Sequence, residues 1–367
     1  MKILFLTRRF YPDIGGVEKH VFELSKELIK RGHEITLITE ERNKNYHSKH
    51  QSDTYDINST RVVKSIQTNR FEFRKIKIFR LNPGKENWLK KFRIWVGILG
   101  MTRAIRGADI VHCHDVFFWY LPFRFLLPTK KVFITFHGYE TKFPPTIKAK
   151  LVRKISEKLS SGNICVGEYI KRWYGTKPDY VTYGGVEKVQ SSKFKVQSYN
   201  RKIKKLNILL IGRLEEDNGA RIYLKALKEL RNRSVAYNLF ICGDGQFKKR
   251  FKKYGDVIGL TPDLNKYIDR ADFIFASSYL SILEALYRSK KVFSVFQNEL
   301  KEDYLKLSPF SKYISISRDA SSLVENVLTV IYNKDDKTYN KVERARDWSK
   351  KQTWSKVAEI YLQLWKS

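Results

Sequence analysis

Three things are scarce in this chain of 367 residues: cysteine, long apolar runs and acid. The 3 cysteines, Cys113, Cys165 and Cys242, stand far apart, with neither pairing nor metal-ligand spacing. That argues against a disulfide scaffold or a cysteine zinc site, and for a reducing compartment. No run approaches the ~20 apolar residues that a membrane span requires. Residues 3–6 are too short for the apolar core of a signal peptide, so a soluble cytoplasmic protein is expected. No repeat of solenoid length occurs. Acid is outnumbered: Asp+Glu 38 against Lys+Arg 71 gives a net charge of +33 at pH 7. Such an excess attracts polyanions. The basic residues are spread along the whole chain, and no sheet motif for RNA, basic zipper or zinc-finger spacing accompanies them. Nucleic acid is therefore set aside as a partner.

What is present is a strand and helix alternation, twice over. Residues 2–6 are a short apolar run, read as a buried strand. A loop with Pro12, Gly15 and Gly16 follows. Val17, Val21, Leu24 and Leu28 then recur at helical spacing, closed by Arg31-Gly32. Further strands are read at 34–38, 75–80, 109–112, 132–136, 163–166 and 180–182. A polar, basic break at 187–205 reads as a linker. Beyond it come strands at 206–211, 238–242, 272–276 and 291–295, with helices at 220–230, 282–288 and 321–332. This pattern predicts an α/β protein of two doubly wound parallel-sheet (Rossmann-like) domains facing a cleft. One basic stretch is denser than the rest. Between Arg61 and Arg106 there are 13 Lys/Arg against only Glu72 and Glu86, and apolar and basic residues interleave from Trp88 to Trp95. An amphipathic basic helix suits an anionic membrane surface, and a solvated helix face is the plain alternative.

In open parallel sheets ligands bind beyond the carboxyl ends of the strands, so the residues just after each strand matter most. Gly15 and Gly16 at a helix start permit close backbone approach, and first-turn amides favour an anion. His112, His114 and His137 lie at two neighbouring strand ends. Of the first two, one is expected to face the layer and one the cleft. Arg213 follows a strand in the second half and suits a diphosphate, because guanidinium binds phosphate oxygens in pairs. The alternative is a surface salt bridge with Glu215 or Glu216. Ser281 and Glu284 sit where a loop feeds a helix. Glu284 could accept from ribose hydroxyls, or close a capping box with Ser281.

Taken in order, these segments resemble the GT-B glycosyltransferases of family 4. The resemblance is carried by residues 10–18 (FYPDIGGVE), 108–115 (ADIVHCHD), 135–138 (TFHG) and 182–187 (TYGGVE). It continues through 212–214 (GRL), 243–245 (GDG), 283–286 (LEAL) and 354–361 (WSKVAEIY). It implies an acceptor-binding domain at 1–187, a linker at 188–205, a donor-binding domain at 206–348 and a helix at 349–367 that crosses back. It also implies a hexosyltransferase-like enzyme that needs no metal ion and no cofactor. That enzyme moves a sugar, with retention, from a UDP- or GDP-linked nucleotide sugar to a glycan or lipid-linked acceptor. In cell-surface glycan synthesis such an enzyme sits in the cytoplasm or peripherally on the inner face of the membrane. His137 takes the place of the catalytic histidine, while Gly16, Arg213, Ser281 and Glu284 bind the donor and Gly15 and His114 line the acceptor loop. Two positions depart from the pattern. Asn218 stands where the family carries a lysine, and the first of two paired glutamates is missing from a shortened segment before Leu283. A degenerate member that binds without turnover therefore stays open beside the enzyme.

Overall fold

The computed structural model describes residues 1–41, 76–85, 87–138, 143–187, 205–261, 263–332 and 336–366. The linker expected at 188–205 lies, as far as residue 204, outside them, and so do residues 61–75 of the basic stretch.

The first sheet has seven strands: β1 (Lys2–Thr7), β2 (Glu34–Glu40), β3 (Ile76–Leu81), β4 (Ile110–His114), β5 (Val132–Phe136), β6 (Gly162–Val166) and β7 (Tyr180–Thr182). Their order is β3-β2-β1-β4-β5-β6-β7, and all pairs are parallel. The second has six: β8 (Leu206–Ile211), β9 (Tyr237–Cys242), β10 (Asp256–Val257), β11 (Phe273–Ala276), β12 (Lys291–Val295) and β13 (Ser315–Ser317), in the order β10-β9-β8-β11-β12-β13 and again parallel. The expected two-sheet α/β architecture is therefore the observed one. Strand order reverses between β1 and β4 in one sheet and between β8 and β11 in the other. Loops leaving those strands part to opposite faces, which opens a crevice at each switch point.

Side-chain alternation assigns the two faces of the first sheet. Leu4, Leu6, Val111, Cys113 and Ile134 meet the helices Lys90–Leu99 and Phe117–Leu126. Ile3, Phe5, Ile110 and Phe133 face the helix Gly16–Lys30 and the last helix, Trp354–Lys366. The last helix buries Trp354, Val357, Ala358, Tyr361, Leu364 and Trp365. Each large apolar side chain so removed from water contributes about 1.5–3 kcal/mol. Just before it, Val186 pairs with Thr353, and the Val186 amide donates to the Gln352 carbonyl at 2.8 Å. The chain's end is thereby fastened to the end of the first domain.

The two domains also touch directly. The Tyr279 and Tyr304 rings stack at 3.9 Å, Tyr183 packs on Tyr279 at 5.3 Å, and Tyr169 on Tyr304 at 5.1 Å. Arg172 and Trp173 both donate to Asp303, at 2.9 and 2.8 Å. A Cβ on Gly184 would fall 2.3 Å from Leu280, so only glycine lets the helix Tyr279–Tyr287 come this close.

Candidate active site

The first domain contributes histidines. His112 and His114 lie on β4, where residues two apart point to the same side. The expectation that one faces the layer and one the cleft is therefore corrected. Both rings lie on the face of the last helix, 5.1 Å apart, with Tyr361 4.9 and 6.2 Å away. Register sets His114 beside Thr135, two residues before His137. His137 follows the end of β5, and its Nε2 lies 2.8 Å from His114 Nδ1. Its amide donates to Asp115 Oδ1 at 2.9 Å. A fourth histidine joins them. His20, from the helix Gly16–Lys30, packs edge-on against His137 at 4.7 Å and against Trp354 at 5.3 Å. His20 is not among the site residues expected from the sequence. Its signal was there, because position 20 falls on the apolar stripe of 17, 21, 24 and 28.

These rings are wired by hydrogen bonds. Trp365 Nε1 can only donate, so His112 Nδ1, 3.0 Å away, accepts. His112 then carries its proton on Nε2 and donates to Thr135 Oγ1 at 2.7 Å. Thr135 lies 2.8 Å from the Tyr361 hydroxyl, which lies 3.0 Å from His20 Nε2. Donation in one direction, Trp365 to His112 to Thr135 to Tyr361 to His20, satisfies the whole chain. Burial depresses the pKa of all four histidines. It holds His20, His112 and His114 well below the usual range, aided by neighbouring histidines. For His137, burial and then the Arg153 charge bring it down to about 3. The cluster is neutral at pH 7. His114 Nε2 is buried with no hydrogen-bond partner. An orphaned acceptor costs less than an orphaned N–H, so His114 donates from Nδ1 to His137 Nε2. His137 then carries its own proton on Nδ1, a neutral donor for a ligand.

At the glycine pair, Gly15 caps the helix and Gly16 is its first residue. The Glu18 carboxylate folds back until its Oε2 lies 2.3 Å from where a Gly15 Cβ would sit. Burial, partly opposed by a bond to its own amide, raises the Glu18 pKa. The anion expected at this helix start is thus supplied by the helix itself.

The second domain contributes charge. Arg213, 62% exposed along its side chain, pairs with Asp217 at 2.5 Å, not with Glu215 or Glu216. Asn218 is buried, and its Nδ2 donates to the Arg213 carbonyl at 3.1 Å. It closes the loop that carries Arg213. Gly219 follows with φ +81, and a Cβ there would lie 2.3 Å from Val295, so the loop is pressed onto the end of β12. The helix expected at 282 begins at Tyr279, capped by Ser278, and Ser278 donates to the Ser281 hydroxyl at 3.0 Å. The capping box between Ser281 and Glu284 is therefore absent. Glu284 instead pairs with Lys19 of the first domain. Of the first-turn amides, that of Tyr279 donates to the Tyr304 hydroxyl at 3.0 Å, and that of Ile282 to the Ser278 carbonyl at 3.0 Å. Those of Leu280 and Ser281 are not taken by these two bonds. Among the described residues no group of three His, Cys, Asp or Glu side chains is set to hold a metal ion.

Over its full length the chain superimposes on sucrose-phosphate synthase from Thermosynechococcus elongatus, with a TM-score of 0.72 at 14% identity, covering 100% of this chain and 98% of that one. It superimposes on a glycosyltransferase from Rickettsia africae at 0.68 and 16%, covering 100% and 97%. With WaaG, a glycosyltransferase involved in lipopolysaccharide biosynthesis, the values are 0.64 and 14%, covering 98% and 99%. The fold is accordingly that of the GT-B glycosyltransferases. The model of Glycosyltransferase Family 4 matches residues 14–186, which span most of the first sheet and its helices. A stretch of 37 residues is 53% identical to one subunit of the human phosphatidylinositol N-acetylglucosaminyltransferase, covering 10% of this chain and 8% of that protein.

Proposed function

We propose that the protein moves a sugar, with retention, from a UDP- or GDP-linked nucleotide sugar to a glycan or lipid-linked acceptor, in the cleft between its two sheets and without a metal ion. The observation that carries this reading is the Lys19–Glu284 pair. It joins the helix that follows the glycine loop to the helix that the family resemblance assigns to the donor. In this reading Arg213 and the amides of Leu280 and Ser281 hold the diphosphate as the bond from the sugar's anomeric carbon breaks. Glu284 exchanges Lys19 for the ribose hydroxyls. His137 donates from Nδ1 to a sugar hydroxyl, and being neutral it does not compete for the diphosphate. A thermal-shift screen of nucleotide sugars tests this, since a ligand at 100 times its Kd stabilises by about 2.7 kcal/mol. A UDP- or GDP-sugar is expected to raise the melting temperature. No response to any nucleotide sugar would leave a binder of other ligands as the better reading.

The acceptor side suits a membrane. Trp88, Phe92 and Val96 are 77%, 54% and 69% exposed beside Lys91. On the helix Ile147–Leu159, Ile147, Leu151 and Ile155 are exposed among Lys148, Lys150 and Lys158. Apolar anchors ringed by lysine favour an anionic bilayer. Sedimentation with anionic vesicles but not neutral ones is expected. Equal binding to both, or to neither, contradicts it.

A further inference from the structure

We propose that Lys301 is the second cation of the diphosphate site, reaching in from the helix that follows β12 in place of the lysine that the loop after β8 lacks at Asn218. The inference rests on the donor-site reading above and deepens it. Lys301 is in the first turn of the helix Glu299–Lys306, where its amide donates to the N-cap Asn298 side chain at 2.9 Å. The loop that carries Arg213 is pressed through Gly219 onto Val295, the last residue of β12, so loop and helix share one sheet edge. The lysine is only 5% exposed. Its ammonium lies 4.0 Å from the centre of the Tyr304 ring. The hydroxyl of that same tyrosine accepts the first amide of the helix Tyr279–Tyr287. Among the described residues no carboxylate pairs with Lys301 within ion-pair distance.

Three features disfavour a lysine here on structural grounds. Burial strips water from the ammonium. No anion is bonded to it. A cation in a helix's first turn opposes the helix dipole. An apolar side chain would avoid all three. Burial accordingly brings its pKa down to about 8, and the two charges it feels are Asp217, which raises it, and Arg213, which lowers it. Lys301 therefore belongs electrostatically to the Arg213 loop. A bound diphosphate would offset all three disadvantages. Lys301 and Arg213 would then grip it from two separate elements, with Asp217 as their shared counter-ion in its absence.

The test is calorimetric titration of wild type, Lys301→Met, Lys301→Gln and Arg213→Ala with UDP, GDP and the corresponding nucleosides. Loss of one charge-assisted bond predicts diphosphate affinity about 10- to 100-fold weaker in both Lys301 variants. Nucleoside affinity should be unchanged, because the lysine faces phosphate. Melting temperatures should be no lower than wild type, since a buried unpaired charge has been removed. Wild-type diphosphate affinity in either folded Lys301 variant overturns the inference. If Arg213→Ala still loses affinity in that case, the donor-site reading survives alone. If wild type binds no nucleoside diphosphate, that reading falls and the inference with it.

Discussion

The two halves of the candidate site are built from opposite materials. On the first domain, His20, His112, His114 and His137 are neutral, desolvated and tied by hydrogen bonds to Thr135, Tyr361 and Trp365. On the second, Arg213, Asp217, Glu284 and Lys301 carry charge, and the first three are held by ion pairs that a ligand could exchange. A neutral wall can orient a sugar without repelling or trapping its phosphates. A charged wall can hold the phosphates but sets little geometry by itself. The difference is the one that the proposed transfer needs: one side to orient the sugar and the other to hold its phosphates.

The sharpest break of that comparison removes the neutral donor. His137→Ala should lower turnover by at least about 100-fold, the scale of a lost transition-state hydrogen bond. It also strands His114 Nδ1, at about 1–3 kcal/mol of stability, so melting should fall by only a few degrees. Full activity in this variant would remove His137 from the site.

Acid comes next. Unfolded histidine titrates near 6.5, while His137 in the fold titrates at about 3 and the other three are also depressed. The unfolded chain therefore binds more protons. This stability is complete above about pH 6.5 and is lost as pH falls below it, at about 1.4 kcal/mol per pH unit for each histidine. Urea midpoints measured at pH 7, 6 and 5 should fall steeply. A flat profile would mean that the cluster is not buried and neutral.

A smaller effect is expected from Tyr361→Phe. It removes the hydroxyl between Thr135 and His20 and leaves the shape intact. Unpaired partners cost about 1–3 kcal/mol. The urea midpoint should drop accordingly, with nucleotide affinity unchanged. An unaltered midpoint would mean that the hydrogen-bonded chain contributes nothing.

Much of the fold was legible because its strands are buried on both faces, and such strands read as unbroken apolar runs. The polar edge strand Ser315–Ser317 and the two-residue β10 carry no such run and were missed. The helix at Tyr279 was placed late, because Ser281 and Glu284 imitate a cap that Ser278 provides. The strand-end histidines were legible from position alone. His20 is legible only as a member of the stripe at 17, 21, 24 and 28; its partners, like those of Lys301, come from tertiary packing, and no spacing along the chain links position 301 to position 217. Asn218 was read as a lost cation. In the structure it also locks the loop through the Arg213 carbonyl, which no pattern announces.

The central claim is that one wall binds the donor and the other directs its chemistry. Nucleoside diphosphate affinity, measured side by side in Arg213→Ala and His137→Ala, tests it most directly. The account predicts a loss of at least about 10-fold in Arg213→Ala, as for one charge-assisted hydrogen bond, and wild-type affinity in His137→Ala. Unchanged affinity in Arg213→Ala, or an equal loss in both variants, would contradict it.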